Sequence, residues 1–148
     1  MDLGEISVEA LKVARRNITR HHLEQRVSAR KSDLYADVHG PYELIVSNPP
    51  YVPAAEWEVL ADEYHHEPRL ALEAGKDGME IVARILKHAP AHLTPKGLLV
   101  CDVGGSVEEF AAPRPRLPVR VGEFARGGAG GVGVSRDARA AARVFRAM

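Results

Sequence analysis

Apolar positions along this chain switch between two periods. The opening "LGEISVEALKVARRNI" reads as a strand end passing into a helix, in which Leu11, Ala14 and Ile18 recur at helical spacing, with Ser7 placed as an N-cap and Glu9 in the first turn. "RVSARKSDL" reads as a short strand whose end carries Asp33. "YELIVS" is a short, nearly continuous apolar run, the pattern of a strand buried on both faces. In "DGMEIVARILKHAPAHL", Ile81 or Val82, Ile85, Leu86, Ala89 and Leu93 form one helical stripe, which Pro90 is expected to shorten or kink. "TPKG" reads as a turn and "LLVCDV" as a second buried strand, closed by Gly104 and Gly105. The tail offers a strand in "RLPVRVGEF", a Gly-rich hairpin or loop plus a short strand in "ARGGAGGVGV", and a terminal helix in "RDARAAARVF". Strands alternating with helices predict an α/β fold with a mainly parallel sheet. A length of 148 residues suits a single domain.

Composition narrows the function classes. Twenty basic residues balance twenty acidic ones, so net charge gives no footprint for non-specific nucleic-acid or lipid binding. The single cysteine, Cys101, lies in an apolar run, where a thiol behaves as a small core hydrophobe. No apolar stretch approaches the roughly 20 residues of a membrane span, and the start lacks the pattern of a signal peptide. A cytoplasmic location is expected.

The chemistry gathers at strand ends. In open α/β sheets ligands bind outside the carboxyl ends of the strands, and Glu5, Asp33, Asn48 and Asp102 fall at or near four of them. Glu5 is suited to ribose hydroxyls or, equally, to a helix start. Asp33 is suited to an adenine amine, with Leu34 covering the ring, or to an ordinary turn. "SNPPYV" is the sharper signal. Two consecutive prolines cannot continue an interior strand, so this strand must stop at Asn48. The Asn48 side-chain oxygen and the Pro49 carbonyl can then accept both hydrogens of a planar –NH2 group, while Tyr51 supplies a flat wall. Such acceptors select nitrogen as a nucleophile without a strong base, because they favour a localised lone pair in the transition state.

Beyond these residues, "IVSNPPYV" followed by "EYHHEPRLALEAGKDGMEIVARIL" resembles the HemK-like protein-glutamine methyltransferases. Their series of Asn-Pro-Pro-Tyr, Glu-Pro, Ala-Leu and Asp-Gly is met here by Asn48 to Tyr51, Glu67-Pro68, Ala71-Leu72 and Asp77-Gly78. The resemblance implies a class I Rossmann-like fold and S-adenosylmethionine as methyl donor to a glutamine side-chain amide in a translation protein. "DEYHHEP" and "VCDVGGS" look more like the branch acting on a large-subunit ribosomal protein than the branch acting on peptide-chain release factors. It further implies Glu5 at the ribose, Asp33 and Leu34 at the adenine, Asn48 touching both cofactor and substrate, and Pro49, Pro50 and Tyr51 framing the glutamine.

Departures from the family pattern set further expectations. Family members carry an N-terminal helical substrate domain, then a first strand and an Asp-x-Gly-x-Gly-x-Gly turn; neither is found in these 148 residues. Residues 1–148 are therefore expected to form the C-terminal part of a catalytic domain with an incomplete sheet. The first strand of that fold lies between the strands ending at Glu5 and Asn48, so those two strands are expected to lose their shared neighbour. No metal is expected, since His21-His22 and His65-His66 are adjacent pairs whose side chains diverge. Arg114, Arg116 and Arg120 read as a solvated face or a ribosomal contact. Methylation of an adenine amine in nucleic acid fits the same acceptors, but neither the charge balance nor any target-recognition segment supports it, and no direct nucleic-acid binding is expected.

Overall fold

The computed structural model describes residues 1–57, 66, 68–75 and 78–103, and the backbone of residues 119–123 and 130–135. The expected terminal helix, Gly104-Gly105, Glu67, Asp77, His65, Arg114 and Arg116 lie outside the described residues. The chain divides into two compact units, Met1–Gly40 and Pro41–Met148.

In the first unit, β1 (Asp2–Glu5) leads into α1 (Val8–Arg20), which returns the chain to β2 (Ser28–Lys31). β1 and β2 pair in parallel, with Glu5 opposite Lys31, and a parallel pair requires such a crossover. The helix starts where its sequence requires. Ser7 is extended at ψ 123°, and its Oγ accepts the Ala10 N–H at 3.2 Å, which satisfies one of the unpaired donors of the first turn. Leu11 is buried, and Ala14 and Ile18 are half-buried on the same stripe.

The second unit holds β3 (Tyr42–Ser47), α2 (Arg69–Leu72), α3 (Glu80–His92), β4 (Leu93–Asp102), β5 (Val119–Glu123) and β6 (Gly130–Ser135). Its sheet runs in the order β3-β4-β6-β5. β3 and β4 are parallel, whereas β6 is antiparallel to both β4 and β5, so the sheet is mixed rather than mainly parallel. Val82, Ile85, Leu86 and Ala89 of α3 are buried, as are Leu93, Leu99, Cys101 and Val103. Each such aliphatic side chain contributes roughly 1.5–3 kcal/mol by leaving water. β1 and β3 belong to different sheets, as expected for two strands without a shared neighbour, and each has one ladder partner among the described residues.

Three expectations are corrected. β3 is not buried on both faces: Leu44 and Val46 are 56% and 71% exposed. Their neighbours across the ladder, Leu98 and Val100, are buried and half-buried, so cover on that face weakens from β4 to β3. "TPKG" is not a separate turn but part of β4. Its residues fall where the register shifts from Tyr42 opposite Leu93 to Leu44 opposite Leu98, so the chain spends them as an irregularity within the strand. Gly97 is required there, since a Cβ would lie 2.7 Å from the Tyr42 carbonyl. Pro90 neither ends nor shortens α3; it occupies the last turn, and the helix runs on to His92. A proline there withholds one donor, from the Leu86 carbonyl, and the last turn continues past it.

Cys101 is a core residue, as its sequence context predicts. It is fully buried, and burial first, then the charge of neighbouring Asp102, pushes its thiol from 9.0 up to about 12. Between these values the unfolded chain sheds a proton that the folded chain keeps, so this group lowers stability as pH rises through that window. Cys101→Ala should therefore lose less stability than the parent between about pH 8 and 10, measured by urea unfolding at each pH. Leu99→Ala should cost about 3 kcal/mol in the same measurement at neutral pH, because the cavity lies in the fully buried centre of the second unit.

Candidate functional site

The first unit carries Glu5, Asp33 and Leu34 at the carboxyl ends of β1 and β2. Glu5 is the last residue of β1 and is half-buried; its Oε1 accepts the Ser7 N–H at 2.7 Å. That bond fulfils the helix-start reading, and a carboxylate with two oxygens keeps further acceptor capacity for a hydroxyl. The Glu5 carbonyl accepts the Ser32 N–H at 2.9 Å, which ties the ends of both strands together.

Beyond β2, the chain turns through an uncommon conformation. Leu34 has φ 52°, a left-handed backbone that costs a branched residue roughly 1–2 kcal/mol. Ser32 holds it. Its buried hydroxyl donates to the Leu34 carbonyl at 2.8 Å and accepts the Asp37 N–H at 2.9 Å. Gly4 leaves space for this turn, since a Cβ would approach Val38 Cγ1 at 3.3 Å and the Leu34 carbonyl at 3.4 Å. Asp33 is thereby exposed and Leu34 half-buried on a turn fixed at its base. Asp33 and Leu34 were named from the sequence as candidates, whereas Ser32 was not, its only signal being a small hydroxyl residue directly after a strand.

In the second unit, Asn48 is exposed in the position directly after β3, Pro49 is buried, and Pro50 and Tyr51 are half-buried. Two prolines offer no donors to a ladder, so the following residues find partners in the segment after α2. The Val52 N–H donates to the Leu72 carbonyl, the Ala74 N–H to the Val52 carbonyl and the Ala54 N–H to the Gly75 carbonyl, each at 2.9 Å. Val52 and Glu73 form a parallel bridge. Arg69 adds to the clamp: it pairs with Glu73 and lies over the Trp57 ring, 5.6 Å from its centroid. The "PRLALEAG" stretch recognised as motif is thus the support on which the Asn-Pro-Pro-Tyr loop is laid. Its clamping role, and α2 itself, were not read from sequence, because α2 spans only four residues and its partners come from another loop.

Asp102, half-buried, ends β4. The four strand-end residues are therefore divided, with Glu5 and Asp33 in one unit and Asn48 and Asp102 in the other. Among the described residues no group of three or more His, Cys, Asp or Glu side chains is arranged to hold a metal ion.

An α/β chain with polar groups exposed at the carboxyl ends of parallel strands, and an Asn-Pro-Pro-Tyr loop braced at one of them, has the features of a class I methyltransferase. The family model described as methyltransferase small domain matches residues 1–73. The fold agrees with solved structures: a methyltransferase from Pyrococcus furiosus superposes with a TM-score of 0.63 at 23% identity, covering 91% of this chain and 61% of that one. A ribosomal protein L11 methylase from Lactobacillus delbrueckii subsp. bulgaricus gives 0.59 at 18%, covering 92% and 57%.

Sequence relatives are more particular. The chain is 45% identical to the ribosomal protein uL3 glutamine methyltransferase of Francisella tularensis over 86% of its own length and 41% of that protein's. It is 43% identical to the protein of the same name from Bradyrhizobium diazoefficiens, over 80% and 38%. The chain belongs with the methyltransferases, and the relatives it matches over most of its own length are named ribosomal protein uL3 glutamine methyltransferases. It spans about two-fifths of the length of the curated relatives it matches.

Ser32→Ala should release the left-handed turn. The expected outcome is a loss of about 1–2 kcal/mol in the first unit, read as faster amide exchange at Asp37 with the exchange of Leu99 unchanged.

Proposed function

We propose that this chain forms part of the catalytic domain of an enzyme that methylates the side-chain amide nitrogen of a glutamine in a large-subunit ribosomal protein of the uL3 type. The observation that carries the proposal is the exposed Asn48 immediately after β3, followed by buried Pro49, in a chain 45% identical to a uL3 glutamine methyltransferase. No described helix is long and apolar enough to cross a membrane.

S-adenosylmethionine is the proposed cofactor, and the residues of the first unit fit its nucleoside part. Glu5 retains acceptor capacity for ribose hydroxyls, exposed Asp33 can accept from an adenine amine, and half-buried Leu34 offers apolar cover for a ring. When bound, the cofactor supplies an electrophilic methyl group. The protein's task is then to present a weak nucleophile correctly.

An amide nitrogen is weakly nucleophilic because its lone pair is delocalised into the carbonyl. Asn48 Oδ1 would accept one amide hydrogen and the Pro49 carbonyl the other, which orients the nitrogen and favours the localised lone pair in the transition state. Tyr51 packs against the planar amide and limits its rotation. Pro50 frames the group by rigidity alone, since its φ is fixed and it brings no competing donor. On methylation the nitrogen would release one proton to solvent water, which reaches the exposed Asn48, and no covalent intermediate on the protein is required.

Asn48→Ala should separate binding from chemistry. Turnover of a large-subunit ribosomal protein should fall by about 100-fold or more, whereas cofactor affinity by calorimetry should change by only about threefold. Equal turnover in the variant contradicts the role given to Asn48; transfer to a release factor instead contradicts the substrate assignment.

A further inference from the structure

We infer that Gly78 is a positioning residue for the Asn48–Tyr51 loop, acting as a backbone seat for the Tyr51 carbonyl. Gly78 is buried and has φ 72°, and a Cβ at this position would lie 2.4 Å from the Tyr51 carbonyl oxygen and 3.2 Å from its carbon. Both atoms are backbone, so no side-chain rotation relieves the contact. The next ring of Pro53 is also close, with Cδ at 3.3 Å.

Gly78 stands at the start of α3, two residues before Glu80. That helix is fixed by buried Val82, Ile85, Leu86 and Ala89, and its first turn is closed by the Ala83 N–H donating to the Met79 carbonyl at 2.9 Å. The helix start is thus a rigid reference. The Tyr51 carbonyl rests against it, while the adjacent Val52 is held by its bonds to Leu72 and Ala74. Both contacts together fix the height of the loop above the core, and with it the place of Asn48 and the Pro49 carbonyl.

Gly75 provides an internal control. It shares the left-handed backbone, φ 79°, but a Cβ there would meet only the Glu80 side chain, whose Oε2 lies at 2.8 Å and can swing away. Alanine at either position therefore carries a similar backbone penalty and differs in what its methyl group meets.

The functional meaning of the seat rests on the proposed role of the Asn48–Tyr51 loop, but its test requires no methyl transfer. Gly78→Ala, Gly75→Ala and the parent chain are compared by NMR amide exchange at Val52, Ala74 and Leu99, and by the Tyr51 ring resonances. The expected result is exchange at Val52 and Ala74 about tenfold or more faster in Gly78→Ala than in Gly75→Ala, with shifted Tyr51 resonances and Leu99 still protected. Equal changes in the two variants, or none in Gly78→Ala, overturn the inference. Loss of protection at Leu99 along with Val52 also overturns it, because Gly78 would then support the whole unit and not the loop.

Discussion

The second unit is organised around a backbone that runs out of donors. Pro49 and Pro50 offer no N–H groups, so β3 cannot extend past Ser47, and the chain beyond must be held by something other than its own ladder. That hold is the Leu72–Gly75 segment, which takes up the polar groups of Val52 and Ala54. The exposed Asn48 is consequently placed between the end of β3 and a clamped loop.

The first unit solves a similar problem by different means. Leu34 takes a left-handed conformation that a leucine resists, and buried Ser32 offsets the cost with two hydrogen bonds. In both units, then, a strand ends, the chain enters a constrained turn, and a separate polar contact keeps that turn in place. Asp33, Leu34 and Asn48 lie just beyond strand ends, and what holds these segments is buried Ser32 in one unit and main-chain bonds in the other. Arg69 over Trp57 is the outer part of the second clamp, and being largely exposed it contributes little energy beside the backbone bonds.

Much of the architecture was legible because it depends on local chemistry. Ser7 as N-cap, the stripe from Val82 to Leu93, and β5 and β6 in the glycine-rich tail all follow from spacing and capping. What escaped was non-local. The exposure of Leu44 and Val46 depends on what covers the sheet, and an apolar run carries no record of that. The path of Thr94 to Gly97 depends on the register of β4 against β3, which a turn-like tetrapeptide cannot reveal. Within the proposed site, Asn48, Asp33 and Glu5 were readable as polar groups at strand ends. Their supports were not: Ser32 acts through a left-handed turn that the letters after β2 do not announce, and Gly78 lies against the backbone of Tyr51, far away in sequence.

The most direct test of the central claim is to find where the methyl group goes. The protein in its full-length context is incubated with labelled S-adenosylmethionine and large-subunit ribosomal protein from cells lacking the modification, and the product is mapped by peptide mass spectrometry. The account predicts a single methyl on the side-chain amide nitrogen of one glutamine in the uL3-type protein. A methyl on an adenine of accompanying RNA, on another side chain, or nowhere would contradict it.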